Sequence, residues 1–399
     1  MGLLENPYFL AALTLAAGFI LARRRRPAAC LYVQRHDGDV GGCPVQLHTL
    51  TNQHGMSVSL SDFGATLTSV RIPDVRGLIG EITLGHDHLR GYVEQNSFLG
   101  SSVGRYANRI AKGKFSIGGQ AFSLAANNHG QHLHGGLVGF DRKVWQAKAK
   151  RTDEGQSVAF TYVSPAGEEG YPGKLEATIT YTLLDERNEL QVQFEASTDA
   201  PTICNLTNHA FFNLAGEGTA LRHRIQIFSE RFAAVNPSLI STGELQNVEG
   251  TPFDFRSPHA IGERIGASHI QLQRARGYDH CYDLGTGRQL KLAARVSEPS
   301  SGRIMELLTD APGLQFYSGN FLDGTIQGRW PRPFMFRDGF CLEPGLFPDS
   351  PNQPAFHHLG YPSGILRPGE QYSQKLIFRF DVVRVGRGYA APLRQQGMT

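Results

Sequence analysis

Cysteine is scarce and irregularly placed: Cys30, Cys43, Cys204, Cys281 and Cys341 are the five among 399 residues, with no C-x-x-C spacing. That speaks against a disulfide framework and a cysteine zinc site, and favours free or buried thiols in a reducing compartment. Charge is sparse as well. Charged residues make up 19% of the chain and the formal net charge is +3, with much of the excess in the run Arg23–Arg26. The footprint of a nucleic-acid binder is therefore missing. Beyond residue 26 there is no long amphipathic helical period, no internal repeat and no low-complexity linker, which argues against a helical bundle. The apolar run from Tyr8 to Ala22 falls short of the ~20 residues that span a bilayer comfortably.

That run has no basic region before it and four arginines directly after it, a poor match to a cleavable signal. Three readings stay open: a membrane anchor, an atypical signal, and an extension from an upstream start codon. If the run inserts, the arginines hold the following domain on the cytoplasmic side. Residues 1–29 are accordingly set apart from fold reasoning, with membrane contact through residues 8–22 as one expectation. Residues 30–390 are expected to form one domain, and residues 391–399 a loosely ordered tail.

What the chain has in quantity is glycine, 46 residues, with 21 prolines, a composition suited to many strands joined by tight turns. From about Val45 the apolar period is two. Met56, Val58 and Leu60 alternate with serines, and Leu175, Ala177, Ile179, Tyr181 and Leu183 alternate with Glu176 and threonines. Leu190, Val192, Phe194 and Ala196 repeat the pattern, as do Leu376, Phe378, Phe380 and Val382. Each run reads as a strand with one buried and one wetter face. Turn signals stand between them at Gly118-Gly119, Asp185–Asn188, Gly285–Gly287, Pro299–Gly302 and Arg367–Gly369. The expected fold is all-β, a large antiparallel β-sandwich.

Five stretches place ionisable residues among glycines and aromatics: Gly104–Ile110, Gln131–Gly136, Thr207–Asn213, Gly277–His280 and Phe340–Asp349. Each has an ordinary reading. Arg109 fits a surface ion pair, His209 a satisfied core histidine, Asp279 a turn cap, and Glu343 a solvated strand residue. His132 and His134 are two apart, so a strand would put both on one face like a metal pair, but no third ligand is identifiable. Together the stretches offer Arg, Asp and His for charge-assisted hydrogen bonds, with aromatic faces beside them. That set suits a neutral, hydroxyl-rich ligand.

In order and spacing, G-R-Y-A-N-R-I, L-H-G-G, N-L-T-N-H-x-x-F-N-L, G-Y-D-H, Q-F-Y-S-G-N-F-L and L-E-P-x-x-x-P-D-S-P-N-Q-P resemble the signatures of the aldose 1-epimerase (galactose mutarotase) family. The resemblance covers about residues 45 to 382 and implies the galactose-mutarotase β-supersandwich. It implies Glu343 as catalytic base and His209 as catalytic acid. It also implies Arg109, His134, Asp279 and Gln315 as sugar-binding residues, with Asn108 beside Arg109. His280 receives no role. No metal or cofactor is implied, and the partner is a small-molecule aldose. One departure bears on substrate preference: the family usually has Gln two places after the catalytic glutamate, where this chain has Gly345.

Mutarotation needs one proton taken from O1 and one delivered to the ring oxygen, for which a carboxylate and an imidazole suffice. The expected starting state is Glu343 ionised and His209 protonated, each favouring the other's charge. A glycoside hydrolase would need a second carboxylate flanking the bond, and only Asp279 is an obvious one. A carbohydrate-binding module would have no use for a base and an acid. A hexose-6-phosphate epimerase would need further Arg or Lys for the phosphate; near the site motifs the basic residues are Arg105 and Arg109.

Overall fold

The alternating runs form strands in which apolar residues bury one face. In the strand Leu175–Leu184 the leucines, Ala177, Ile179 and Tyr181 are buried while Glu176 is exposed and the threonines are half-buried. Glu189–Thr198 repeats this alternation, and Tyr372–Val382 does so except that Ile377 is buried too. In the computed structural model, residues 29–95, 97–329 and 332–383 are described. The apolar segment, the arginine run and the C-terminal tail lie outside the described residues.

Three larger antiparallel sheets of five, nine and six strands carry the architecture. The five-stranded sheet is a meander of neighbouring strands from Cys30–Val40 to Ile79–Glu81. At the centre of the nine-stranded sheet, Tyr372–Val382 lies between Glu189–Thr198 and Arg303–Thr309, so the last described strand joins the two halves of the sheet. The turns fall where glycine and polar residues predict them. Gly118 and Gly119, at φ 58° and 85°, form the two-residue loop between Lys114–Ile117 and Gln120–Ser123, the left-handed pair a tight hairpin requires.

The sheets share one core. Phe160 of the nine-stranded sheet meets His48 of the five-stranded sheet at 5.9 Å between ring centroids. Phe212 of the six-stranded sheet meets Phe378 of the nine-stranded sheet at 5.1 Å. Burying each such side chain contributes about 1.5–3 kcal/mol, which holds the sheets face to face. Helices are short; Leu89–Glu94 and Ile270–Ala275 have 6 residues each.

The six-stranded sheet contains three neighbouring strands that share one buried, polar face: Asp279–Asp283, Gly313–Tyr317 and Phe340–Gly345. Their registers set Gln315 opposite both Cys281 and Glu343, and Phe316 opposite Leu342. Tyr282, Leu314, Phe316 and Leu342 face the shared core. Asp279, Gln315, Cys341 and Glu343 therefore project from the other face, which is also buried.

Candidate active site

Glu343, Gln315 and Asp279 reach the same pocket because they stand on three adjacent strands with side chains on one face. Gln315 Nε2 donates to Asp279 Oδ1 at 2.6 Å. Arg109 enters from outside this sheet, its Nη1 3.8 Å from Asp279 Oδ2. It stands on the short strand Arg109–Ile110, which pairs with His132–Leu133.

Asn108 and His134 lie just beyond those two short strands, both with left-handed backbone, φ 64° and 51°. They hold each other: the N–H of Asn108 donates to His134 Nδ1 at 3.2 Å, and the N–H of His134 donates to the Asn108 carbonyl at 3.1 Å. Asn108 Oδ1 accepts from the N–H of Arg109 at 2.8 Å. Left-handed non-glycine residues are uncommon and cluster at functional sites. Gly135 follows at φ 92°, and a Cβ there would stand 1.9 Å from the carbonyl oxygen of Gly104.

His209 lies between the strands Thr207–Asn208 and Phe211–Phe212. Its Nε2 is 3.7 Å from Glu343 Oε2 and its Nδ1 3.6 Å from Cys341 Sγ. Cys341 and Glu343, two apart on one strand, thus flank the imidazole. The His134 ring meets that of His209 edge-on at 5.1 Å, and Phe98 packs against both, at 4.8 Å and 6.0 Å.

Burial dominates the electrostatics. It pushes Glu343 well above the usual carboxylate range, with the charge of Asp279 adding to the shift and Arg109 opposing it. It lowers His209 to about 4. Burial likewise lowers His134, helped by His209 and Arg109, and raises Asp279 against the pull of Arg109 and Gln315. The expectation of an ionised Glu343 beside a protonated His209 is corrected for the free pocket. Desolvation disfavours both charges more than the partners stabilise them across 3.7 Å.

One further expectation changes. His132 and His134 do not share a face, because the strand ends at Leu133 and His134 turns left-handed. His132 instead bonds the Ala125 carbonyl at 2.8 Å and the Tyr171 hydroxyl at 2.5 Å. Arg105 turns away from the pocket into carbonyls of Ser164, Pro165, Pro172 and Gly173 at 2.7–3.0 Å. Of the two arginines near the site motifs, only Arg109 joins it. His280 points to the opposite side of its strand and bonds Gln271 Oε1 at 3.1 Å, a core histidine.

The structure therefore brings Asn108, Arg109, His134, His209, Asp279, Gln315 and Glu343 together. Cys341, Tyr317 and Phe98 also line the group and were not singled out in the sequence. A two-residue step along the strand from Glu343 and from Gln315 finds the first two, and no pattern marks Phe98.

Ligand-capable atoms of His134, His209 and Glu343 lie within 4.8 Å of one another, close enough to embrace a cation. Metal-binding imidazoles ordinarily donate their second ring N–H to a carboxylate or carbonyl. Here Nδ1 of His134 accepts from a backbone N–H, and Nδ1 of His209 faces a thiol. That outer shell suits hydrogen bonding and proton transfer rather than metal ligation. Arg109 Nε and Gln315 Oε1, both buried, have no partner among the described residues. They leave a spare donor and a spare acceptor, complementary to hydroxyl groups.

A family model described as aldose 1-epimerase matches residues 46–379. Galactose mutarotase of Mus musculus is 40% identical over 344 residues, covering 86% of this chain and 96% of that protein. Aldose 1-epimerase of Escherichia coli (strain K12) is 40% identical over 341 residues, 85% of this chain and 96% of that one. The crystal structure of galactose 1-epimerase from Lactobacillus acidophilus NCFM superposes with a TM-score of 0.79 at 28% identity, covering 90% of this chain and 100% of that one.

Proposed function

The chain belongs to the aldose 1-epimerase family, and from that premise we propose that it interconverts the α and β anomers of free aldohexoses such as galactose and glucose through Glu343 and His209. The observation that carries the reading is the buried Glu343–His209 pair, 3.7 Å apart beside Arg109, Asp279 and Gln315. Those three residues and His134 grip the sugar hydroxyls. Glu343 takes the O1 proton as C1=O1 forms, the C1–O5 bond breaks, and O5 receives a proton from His209. Rotation about C1–C2 and reversal of the transfers closes the other anomer.

A neutral pair and an ion pair contain the same number of protons. The free pocket favours the neutral arrangement; the reactive one differs by one proton moved from Glu343 to His209. Arg109 already pulls Glu343 in that direction, and hydroxyls of a bound sugar replace lost hydration around both charges.

Glu343→Gln keeps the shape of the side chain and removes the base, and His209→Asn removes the titrating ring. Each should lower kcat by roughly 10²–10⁴-fold with sugar binding largely retained. The assay is the decay of optical rotation of freshly dissolved α-galactose, corrected for the spontaneous rate. A Glu343→Gln variant that folds and keeps near-wild-type kcat would end the assignment of the base.

Free sugars are favoured over phosphorylated ones because Arg105 is turned away and Arg109 is matched with Asp279. We expect kcat/KM to be higher for glucose than for glucose 6-phosphate; the reverse ratio moves the assignment to phosphosugars. We also infer a cytoplasmic-side location, supported by the arginines after Ala22 and by five cysteines that are all free. No helix of the described residues is long and apolar enough to cross a membrane.

A further inference from the structure

The run P-D-S-P-N-Q-P, just beyond the Glu343 strand, has no part in the proton transfers, yet it meets the strand that carries Arg109. Asp349 is 1% exposed and left-handed, φ 60°. Its N–H donates to the Arg109 carbonyl at 2.9 Å, and its Oδ1 accepts from the N–H of Ala111 at 3.0 Å. Among the described residues, the Arg109–Ile110 strand has the strand His132–Leu133 along one edge only. Asp349 supplies on the other edge the donor and the acceptor that a second neighbouring strand would offer.

The carboxylate is itself fixed. Asn352 Nδ2 donates to Oδ1 at 2.6 Å and Gln353 Nε2 to Oδ2 at 3.0 Å. Both amides are anchored further, to the carbonyls of Lys114 and Ser241 at 2.8 Å and 2.7 Å. The aspartate, asparagine and glutamine of the run thus form one clamp.

Arg109 needs such a clamp because its tip is loosely held. Its Nη1 is 3.8 Å from Asp279 and its Nε has no partner among the described residues. With so little restraint at the guanidinium, its position depends on its backbone, which Asn108 fixes at the N–H and Asp349 at the carbonyl. We propose that Asp349 is a positioning residue: it ties the Arg109–Ala111 backbone to the chain leaving the Glu343 strand, and so sets the sugar-holding guanidinium relative to the base. This rests on the reading of the pocket as an aldose site. A small displacement of a substrate-holding group is enough to cost tenfold or more.

A double-mutant cycle tests it, with Kd for galactose from titration calorimetry and kcat and KM from polarimetry. Asp349→Ala should raise Kd and KM by about tenfold while kcat stays within about threefold. Asp349→Asn keeps an acceptor for the Ala111 N–H and tolerates the left-handed backbone, so it should restore most of the affinity. In the Arg109→Ala background, Asp349→Ala should add little, because the group it positions is gone. Should Asp349→Ala fail to fold, Asp349→Gly, which accepts φ 60° and keeps the N–H, carries the same comparison.

Unchanged Kd and KM in a folded Asp349→Ala protein overturn the proposal, as does a full additive loss on top of Arg109→Ala. Wild-type protein that binds galactose without mutarotation defeats the epimerase reading alone, and the Kd cycle still decides the role of Asp349. Wild-type protein that binds no aldose overturns both.

Discussion

The neutral pair and the ion pair of Glu343 and His209 differ only in where one shared proton sits, and burial decides which is favoured. His209 lies near 4 and Glu343 well above its ordinary range, in both cases through desolvation first. As pH falls through about 4 the imidazole gains a second proton for the pair, and no base is left. As pH rises through the elevated value of Glu343 the shared proton departs, and no acid is left. The acid limb of kcat/KM thus follows the imidazole and the alkaline limb the carboxylate, the inverse of their solution order. A profile of kcat/KM against pH by polarimetry should fall near 4 on the acid side, with an alkaline limb set by the raised carboxylate. An acid limb near ~6.5, the ordinary histidine value, would mean that burial does not govern the free site.

At the scale of elements, the pocket depends on short, tightly turned segments more than on long strands. Gly135 shows why: with φ 92° and a Cβ position 1.9 Å from the Gly104 carbonyl oxygen, no side chain fits. Gly135→Ala should lower stability by roughly 1–3 kcal/mol in urea unfolding, and should raise KM because His134 is the adjacent residue. Gly266→Ala, in open space with an ordinary backbone, is the control and should stay within about 0.5 kcal/mol of wild type. Equal losses in the two variants would remove the close approach as the cause.

The same contrast explains what could be read in the sequence. Strands with one wet face, such as Leu175–Leu184, announce themselves by alternation. The strand Phe340–Gly345 beneath the pocket is buried throughout, so it gives no polar rhythm, and only the resemblance gave Glu343 a catalytic role. Backbone turns defeated spacing at His132 and His134, since a two-residue step implies one face only while the strand continues. Arg105 and Arg109 look alike in sequence and differ in fate because one meets a cage of carbonyls.

Across the whole molecule, the pocket draws on residues from Phe98 to Glu343, and the described strands span Cys30 to Val382. Among the described residues, every strand and every residue of the pocket lies at or beyond Cys30, so the sequence before it is expected to be dispensable for the proposed reaction. A chain beginning at residue 29 should therefore keep the kcat and KM of the full chain. For the segment Tyr8–Ala22 and the four arginines after it, the membrane-anchor expectation is open to a direct test. A run this apolar, followed by positive charge, holds to a membrane from the cytoplasmic side if it inserts. In fractionated cells the full chain should then sediment with membranes, resist extraction by high salt and leave with detergent, while the shortened chain stays in the supernatant. Release by salt alone would reduce the attachment to the arginines and anionic lipid. Full-length protein of unreduced mass found wholly in the soluble fraction would rule the anchor out.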